Sequence, residues 1–318
     1  MITFGPVPSR RLGRSLGINN IPPKSCSYSC IYCQVGPTPK KEIVLRPFYG
    51  PEEIRRAVEA QVEAALRAGE SIDYLTFVPD GEPTLDEDLC RTIELIRPLG
   101  INIAIISNGS LIWHKEVQET LKQADWVSLK VDSVEESIWR RINSPHIDLE
   151  LKTILDGMLE FANEYEGVLT SETMLVDSVN VSDDAVLEVA KFLRKLKPDT
   201  AYLSIPTRPP AEGGVHAPDE GQLNRVYQII SHHVARVEYL TGYEGNAFAS
   251  TGDPVEDLLS ITAVHPMREE AVRELLARTG SGWNIVQGMI DAGKLRESIY
   301  DGRKFYIRCF HRGTSPQD

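Results

Sequence analysis

The sequence predicts an α/β fold: an incomplete (β/α)6 barrel over residues 1–250, followed by a small winged-helix-like module over residues 251–318. Three observations carry this. Between residues 71 and 239, short apolar segments alternate with amphipathic helical stretches, the pattern of repeated βα units around a parallel sheet. A length of 318 residues suits one barrel-sized domain with an appendage. Beyond residue 255 the pattern changes to short helical stretches and a hairpin.

In chain order, a first strand is expected over 15–20, before a cysteine-rich loop. Further strands fit 74–78, 102–107, 126–132, 168–176 and 201–205. Helices fit 51–68, 86–97, 115–123, 148–163, 183–197 and 219–233. That makes about six βα units, short of a closed eight-fold barrel. The segment 206–218 is rich in Pro and Gly and reads as a loop crossing one mouth of the barrel. A second break, 242–253, leads into three short helical stretches, the last over 282–291. Segments 294–299 and 304–310 alternate around Asp301-Gly302, a strong hairpin signal.

Composition narrows the function. Apolar residues make up 42% of the chain and nothing is low in complexity, so the whole chain should fold. No apolar run approaches a membrane span, and residues 1–14 lack the features of a secretory signal, so the expected location is cytoplasmic, with no membrane partner. The net charge of -12 argues against a broad cationic surface for nucleic acid. Arg10, Arg11 and Arg14 form the one early basic cluster, either a solvated turn or a contact for an anionic cofactor or substrate. Of the five cysteines, three crowd into eight residues while Cys90 and Cys309 lie far apart, which is no disulfide framework.

Those three, Cys26, Cys30 and Cys33, follow CxxxCxxC on a loop flanked by Pro22-Pro23 and Gly36-Pro37. Three thiolates on one compact loop suit the corner of an iron-sulfur cubane and leave one iron open. Structural zinc is the competing reading, but it wants four protein ligands, and the nearest further donors in sequence are Cys90 and His114. After the second strand comes Asp80-Gly81-Glu82-Pro83-Thr84, where Gly81 permits an unusual turn and Pro83 fixes the next. Ser107-Asn108-Gly109 ends the third strand, and Ser128 to Ser133 ends the fourth. All three sit where parallel barrels gather ligand groups.

The CxxxCxxC spacing with Tyr32 before its last cysteine resembles the signature of the radical S-adenosylmethionine (SAM) superfamily. The resemblance implies a 4Fe-4S cluster on Cys26, Cys30 and Cys33, and SAM on its open iron. One-electron cleavage of SAM then yields a 5'-deoxyadenosyl radical that abstracts hydrogen from a substrate. It further implies a reducing donor such as flavodoxin or ferredoxin. Residues 80–84 resemble the family's GGEP motif, with Asp80 in place of the first glycine, which assigns Gly81, Glu82 and Pro83 to the SAM amino group. Ser107, Asn108 and Asp132 are assigned to its carboxylate and ribose. The stretch from Gly5-Pro-Val-Pro-Ser-Arg-Arg to Val264-His265-Pro266-Met267, with Arg141-Ile142-Asn143 and Pro206-Thr207-Arg208-Pro209-Pro210, resembles the wyosine-synthase-like Fe-S oxidoreductases. That group implies tRNA, but a second cluster would need cysteines upstream of Cys26, and there are none.

Strand alternation separates the two faces of the barrel wall. Val127, Leu129 and Val131 should pack against helices, leaving Ser128, Lys130 and Asp132 on the inner face. Leu203 and Ile205 oppose Tyr202 and Ser204, while Glu172 shares a face with Met174 and Val176. So polar an inner face points to a ligand-filled lumen, with Lys130 and Glu172 as the candidate catalytic pair. The last predicted helix, 282–291, contains no Lys or Arg, which speaks against duplex DNA reading. Three readings remain: a radical enzyme acting on a peptide, protein or small metabolite, a tRNA-modifying enzyme, and a cluster-bearing winged-helix regulator.

Overall fold

The computed structural model describes residues 2–240, 253–264 and 266–309, and divides into two compact units, Met1–Glu244 and Gly245–Asp318. The first unit runs β1 (Thr3–Ser9), β2 (Gly13–Ile18), α1 (Pro51–Arg67), β3 (Tyr74–Phe77), α2 (Leu89–Ile96), β4 (Asn102–Ser107) and α3 (Lys115–Leu121). It continues with β5 (Trp126–Lys130), α4 (Glu136–Asn143), α5 (Leu151–Glu164), β6 (Val168–Met174), α6 (Asp183–Leu196), β7 (Thr200–Ser204), α7 (Glu220–Ser231) and β8 (Val237–Leu240). The strands lie side by side in chain order. β1 is antiparallel to β2, and every pairing from β2 to β8 is parallel. Six helical crossovers therefore join seven parallel strands, an open (β/α)6 arrangement with one further strand at each end.

Local chemistry accounts for the helices. In α1, Pro51 occupies the first turn beside Glu52 and Glu53, and Arg67 the last, each suited to its end of the helix dipole. Its buried Ile54, Val58, Val62 and Ala65 recur at helical spacing, and the first three share one core with Leu16, Leu75 and Ile103 of the strands. Helix α4 and strands β1 and β8 were not anticipated. With eight residues and few buried apolar ones, Trp139 and Ile142, α4 offers little periodic signal.

Alternation assigns the wall as expected: Val127, Leu129 and Val131 lie in the helix-packed core. Past the strand ends the alternation persists in part: Ile205, one residue past β7, packs against the core that holds Leu203 and also lines the cavity, and Val176, two residues past β6, shares a cluster with Met174, Ile31, Ile142 and Val215. The lumen is not left open. Leu12, in the turn between β1 and β2, packs against Ala104, Trp126, Tyr202 and Leu240, so this turn plugs the barrel from within.

The second unit comprises α8 (Pro254–Val264), β9 (Met267–Arg268), α9 (Glu269–Arg278), α10 (Asn284–Asp291), β10 (Leu295–Tyr300) and β11 (Arg303–Arg308). Its antiparallel sheet has the order β10-β11-β9. Asp301 and Gly302 form the hairpin turn with φ of 48° and 68°, the left-handed pair that a tight hairpin requires. The expected boundary at 250 and 251, most of the break 242–253, His265 and Phe310 lie outside the described residues.

Candidate active site

At the C-terminal ends of the parallel strands lies a cavity of about 320 Å³, lined by Cys26, Cys30 and Cys33 together with Asn108, Lys130 and Glu172. The cysteine loop is built in by its backbone. Ser29 N–H donates to Asn143 O (3.1 Å) and Ile31 N–H to Ile142 O (3.0 Å), so the loop caps carbonyls that end helix α4. Lys41 donates to the carbonyls of Ser144 and Pro145 at 3.1 and 3.0 Å, holding the loop's far side. Above it, Glu212 N–H donates to Ile31 O (3.0 Å), and Pro206, Thr207 and Arg208 line the cavity, so the 206–218 loop crosses this mouth.

Each of the three sulfurs has its own N–H neighbour. Asn108 Nδ2 lies 3.7 Å from Cys26 Sγ, Asn143 Nδ2 lies 3.4 Å from Cys30 Sγ, and Lys24 Nζ lies 3.9 Å from Cys33 Sγ. Burial pushes the Cys26 thiol far up and the Cys30 thiol up to about 12. Burial therefore favours the protonated forms of Cys26 and Cys30, and a metal held by them must displace those protons. Among the described residues, no three His, Cys, Asp or Glu gather tightly enough to hold a single metal ion.

Residues 80–84 brace this loop. Lys24 N–H donates to Asp80 O (2.7 Å) and Glu82 N–H to Ser25 O (2.9 Å). A Cβ on Gly81 would meet Ser25 O at 1.9 Å, so close approach of two backbones demands glycine here. Gly81 is not among the residues of positive φ, which corrects the expectation of an unusual turn. The Glu82 carboxylate is fully buried. One oxygen accepts from Thr84 N (3.1 Å), Thr84 Oγ1 (2.7 Å) and Ser107 Oγ (2.7 Å), and the other from Asn108 N (2.7 Å). It pins the end of β4, while Gly81, Ser107 and Asn108 face the cavity. Pro83 is buried, and its carbonyl accepts from Asn20 Nδ2 at 3.0 Å.

Asp132 is likewise committed to the wall. It accepts from Tyr32 Oη, from Asn143 Nδ2 (2.7 Å) and from Met174 N (2.8 Å), tying the cysteine loop to α4 and β6. Buried Asn143 thus serves a sulfur and a carboxylate at once. The candidate residues had omitted it, although Arg141-Ile142-Asn143 carried part of the resemblance.

A profile of the radical SAM superfamily matches residues 20–193, more than half of the chain. This chain belongs to the radical SAM superfamily. A UPF0026 protein of Methanocaldococcus jannaschii is 46% identical over 309 residues, 96% of either chain. A structure of TYW1 with a lysine-pyruvate adduct bound superposes with a TM-score of 0.55 at 16% identity, over 70% of this chain and 74% of that one. A radical SAM methyltransferase from Sphaerobacter thermophilus gives 0.53 at 16%, over 71% and 66%. At such identities these two structures establish the likeness of fold. The chain is therefore an enzyme of the superfamily whose cofactors are a 4Fe-4S cluster and SAM, and which needs a reductant.

The residues present fit those radical SAM cofactors. Three soft sulfurs share one cavity, each beside a nitrogen donor of the kind that stabilises sulfur as thiolate. In the same cavity, Lys130 Nζ donates to Glu172 Oε1 at 2.9 Å, and Arg11 pairs with the other oxygen. Ser204 Oγ donates to Glu172 at 2.9 Å. Burial alone would raise the Glu172 pKa, but Lys130 and Arg11 hold it far below the usual carboxylate range. Burial also works against the Lys130 ammonium, but Glu172 and Asp132 outweigh it and keep its pKa raised. Arg11 had been noted as part of a basic cluster; its place in the lumen, 161 positions from Glu172 in sequence, carried no local signal.

Proposed function

We propose that Cys26, Cys30 and Cys33 hold the 4Fe-4S cluster of a SAM-cleaving enzyme whose substrate is a small metabolite, peptide or protein rather than tRNA. The observation that carries this is the single cavity shared by the three thiols, the 80–82 and 107–108 strand ends, and the Lys130–Glu172 pair. When bound, the cluster and SAM supply an electron and a 5'-deoxyadenosyl radical able to remove a hydrogen atom from substrate.

The chain's own residues bind, orient and shield. Gly81 brings its backbone against the cysteine loop, and Ser107 and Asn108 present polar groups for the SAM amino acid and ribose. Glu82 and Asp132 keep those walls in register, and Tyr32 lies between Asp132 and Lys130. Lys130 and Glu172 face the substrate side. A second unit with three helices and a three-stranded antiparallel sheet supports a winged-helix-like module, and α10 carries no Lys or Arg, which argues against a DNA-reading role. A flavodoxin- or ferredoxin-type donor completes the scheme.

The test is anaerobic reconstitution followed by dithionite and SAM. Release of 5'-deoxyadenosine is expected, and none at all would sink the reading. The tRNA alternative rests on motif resemblance, since the TYW1 likeness is one of fold. Purification without bound RNA is expected; stoichiometric copurifying tRNA would favour the alternative.

A further inference from the structure

The charge inside the cavity runs against that of the chain. Lys24 donates to Gly36 O and lies beside Cys33, so it belongs to the cluster loop. Setting it aside, two cationic side chains of the lining, Arg11 and Lys130, share the one carboxylate of Glu172 among the described residues. This excess sits in a protein of net charge -12. SAM does not cancel it, because its amino acid is a zwitterion and its sulfonium adds another positive charge.

The imbalance is sharpest around Glu172. One carboxylate serves two cations, Arg11 and Lys130, whose side chains are only 16% and 19% exposed. Each cation has donors to spare. Among the described residues, the Lys130 ammonium gives one of its three N–H bonds to Glu172 and otherwise faces the Tyr32 ring 5.0 Å away. The Arg11 side chain gives one N–H bond to Glu172 and sits about 6.0 Å from the rings of Trp126 and Tyr202. Carbon-rich neighbours supply no acceptors, and a buried cation left partly unpaired is costly.

We propose that the substrate carries an oxyanion, either a carboxylate or a phosphate, and that Lys130 and Arg11 receive it beside Glu172. The chemistry is a charge-assisted clamp: an ammonium and a guanidinium, pre-positioned by a shared carboxylate, with the anion completing a four-charge ring. This deepens the proposed function and rests on it, since it specifies the substrate side of that cavity.

The experiment is calorimetric titration of the anaerobic, cluster-loaded protein with saturating SAM at constant ionic strength. The probes are inorganic phosphate, inorganic pyrophosphate and succinate, with chloride as the control. At least one oxyanion should bind where chloride does not; binding by the phosphates or by succinate tells which source of oxyanion the site accepts. Lys130→Met and Arg11→Gln should each weaken that binding roughly tenfold or more, the scale of one charge-assisted hydrogen bond. Where Lys130→Met alone fails to fold, the triple change Arg11→Met, Lys130→Met and Glu172→Leu removes both cations with their shared carboxylate and should stay folded while losing the anion. Oxyanions that bind no better than chloride, or bind wild type and variants alike, would overturn the inference. So would binding restricted to tRNA and indifferent to Lys130 and Arg11. Dithionite assays on the same wild-type sample separate the two claims: loss of 5'-deoxyadenosine release strikes the proposed function, whereas loss of oxyanion binding strikes the clamp alone.

Discussion

Glu82 and Glu172 are both buried glutamates near strand ends of one barrel, yet the protein uses them in opposite ways. Among the described residues, Glu82 has no cationic partner. Four neutral donors from three residues converge on it, and burial raises its pKa. Glu172 sits between two cations that drive its pKa far down. The first is a polar pin that stitches the 80–84 turn to the end of β4, and its strength lies in hydrogen bonds. The second is an ionic hub that holds two cations in a cavity. Burial sets the cost of a carboxylate, and the partners decide what the cost achieves.

The largest expected effect is on the side that Glu82 supports. Replacing Cys26, Cys30 or Cys33 with Ala should abolish cluster iron, read by absorbance and iron analysis after anaerobic reconstitution, because each change removes a ligand. Iron that survives in any of the three would detach the cysteine loop from the cluster.

Next comes the ionic hub, where the two partners should prove unequal. Glu172→Gln strands two buried cations and should cost about 3–5 kcal/mol in urea unfolding. Lys130→Ala leaves the carboxylate still paired with Arg11 and should cost clearly less. Adding Lys130→Met to Glu172→Leu should recover only part of the loss, because Arg11 still lacks its carboxylate. Equal losses for the two single changes would make Glu172 an ordinary pair rather than a shared hub.

At the pin, Glu82→Ala leaves the buried donors of Thr84, Ser107 and Asn108 without an acceptor, at a cost of about 1–3 kcal/mol. SAM affinity should fall as well, through displaced Ser107 and Asn108, with cluster iron retained. Unchanged SAM titration would sever Glu82 from the cofactor wall.

The two carboxylates should also leave opposite marks on the pH dependence of stability, smaller again in size. Glu172, lowered from 4.5, contributes stability that is full above that value and lost as the pH falls below it. Glu82, raised from 4.5, loses stability as the pH rises from 4.5 toward its folded value. Urea midpoints across that range should therefore fall less on acidification in Glu172→Gln than in wild type, and less on the alkaline side in Glu82→Gln. Matching profiles for the two variants would erase the distinction. Smallest of all, Cys90→Ala should leave iron content unchanged, since Cys90 lies on α2 and does not line the cavity.

By itself the sequence determined what depends on neighbours along the chain. The cysteine spacing, the strand-end positions of Gly81, Asn108 and Lys130, the alternation of Val127, Leu129 and Val131, and the Asp301-Gly302 turn are all local patterns, because a strand period or a tight turn is written within a few residues. Helix α4 escaped for want of periodic length, and with it Asn143, which reaches Cys30 across 113 positions. Only the tertiary structure decided that Gly81 answers to a neighbouring backbone rather than to its own φ, and that Glu82 and Asp132 turn into the wall. It alone decided that the turn between β1 and β2 folds into the lumen and carries Arg11 to Glu172. Such pairings arise when the curved sheet brings distant strand ends within hydrogen-bond reach, and no local period encodes which partner a buried charge will find.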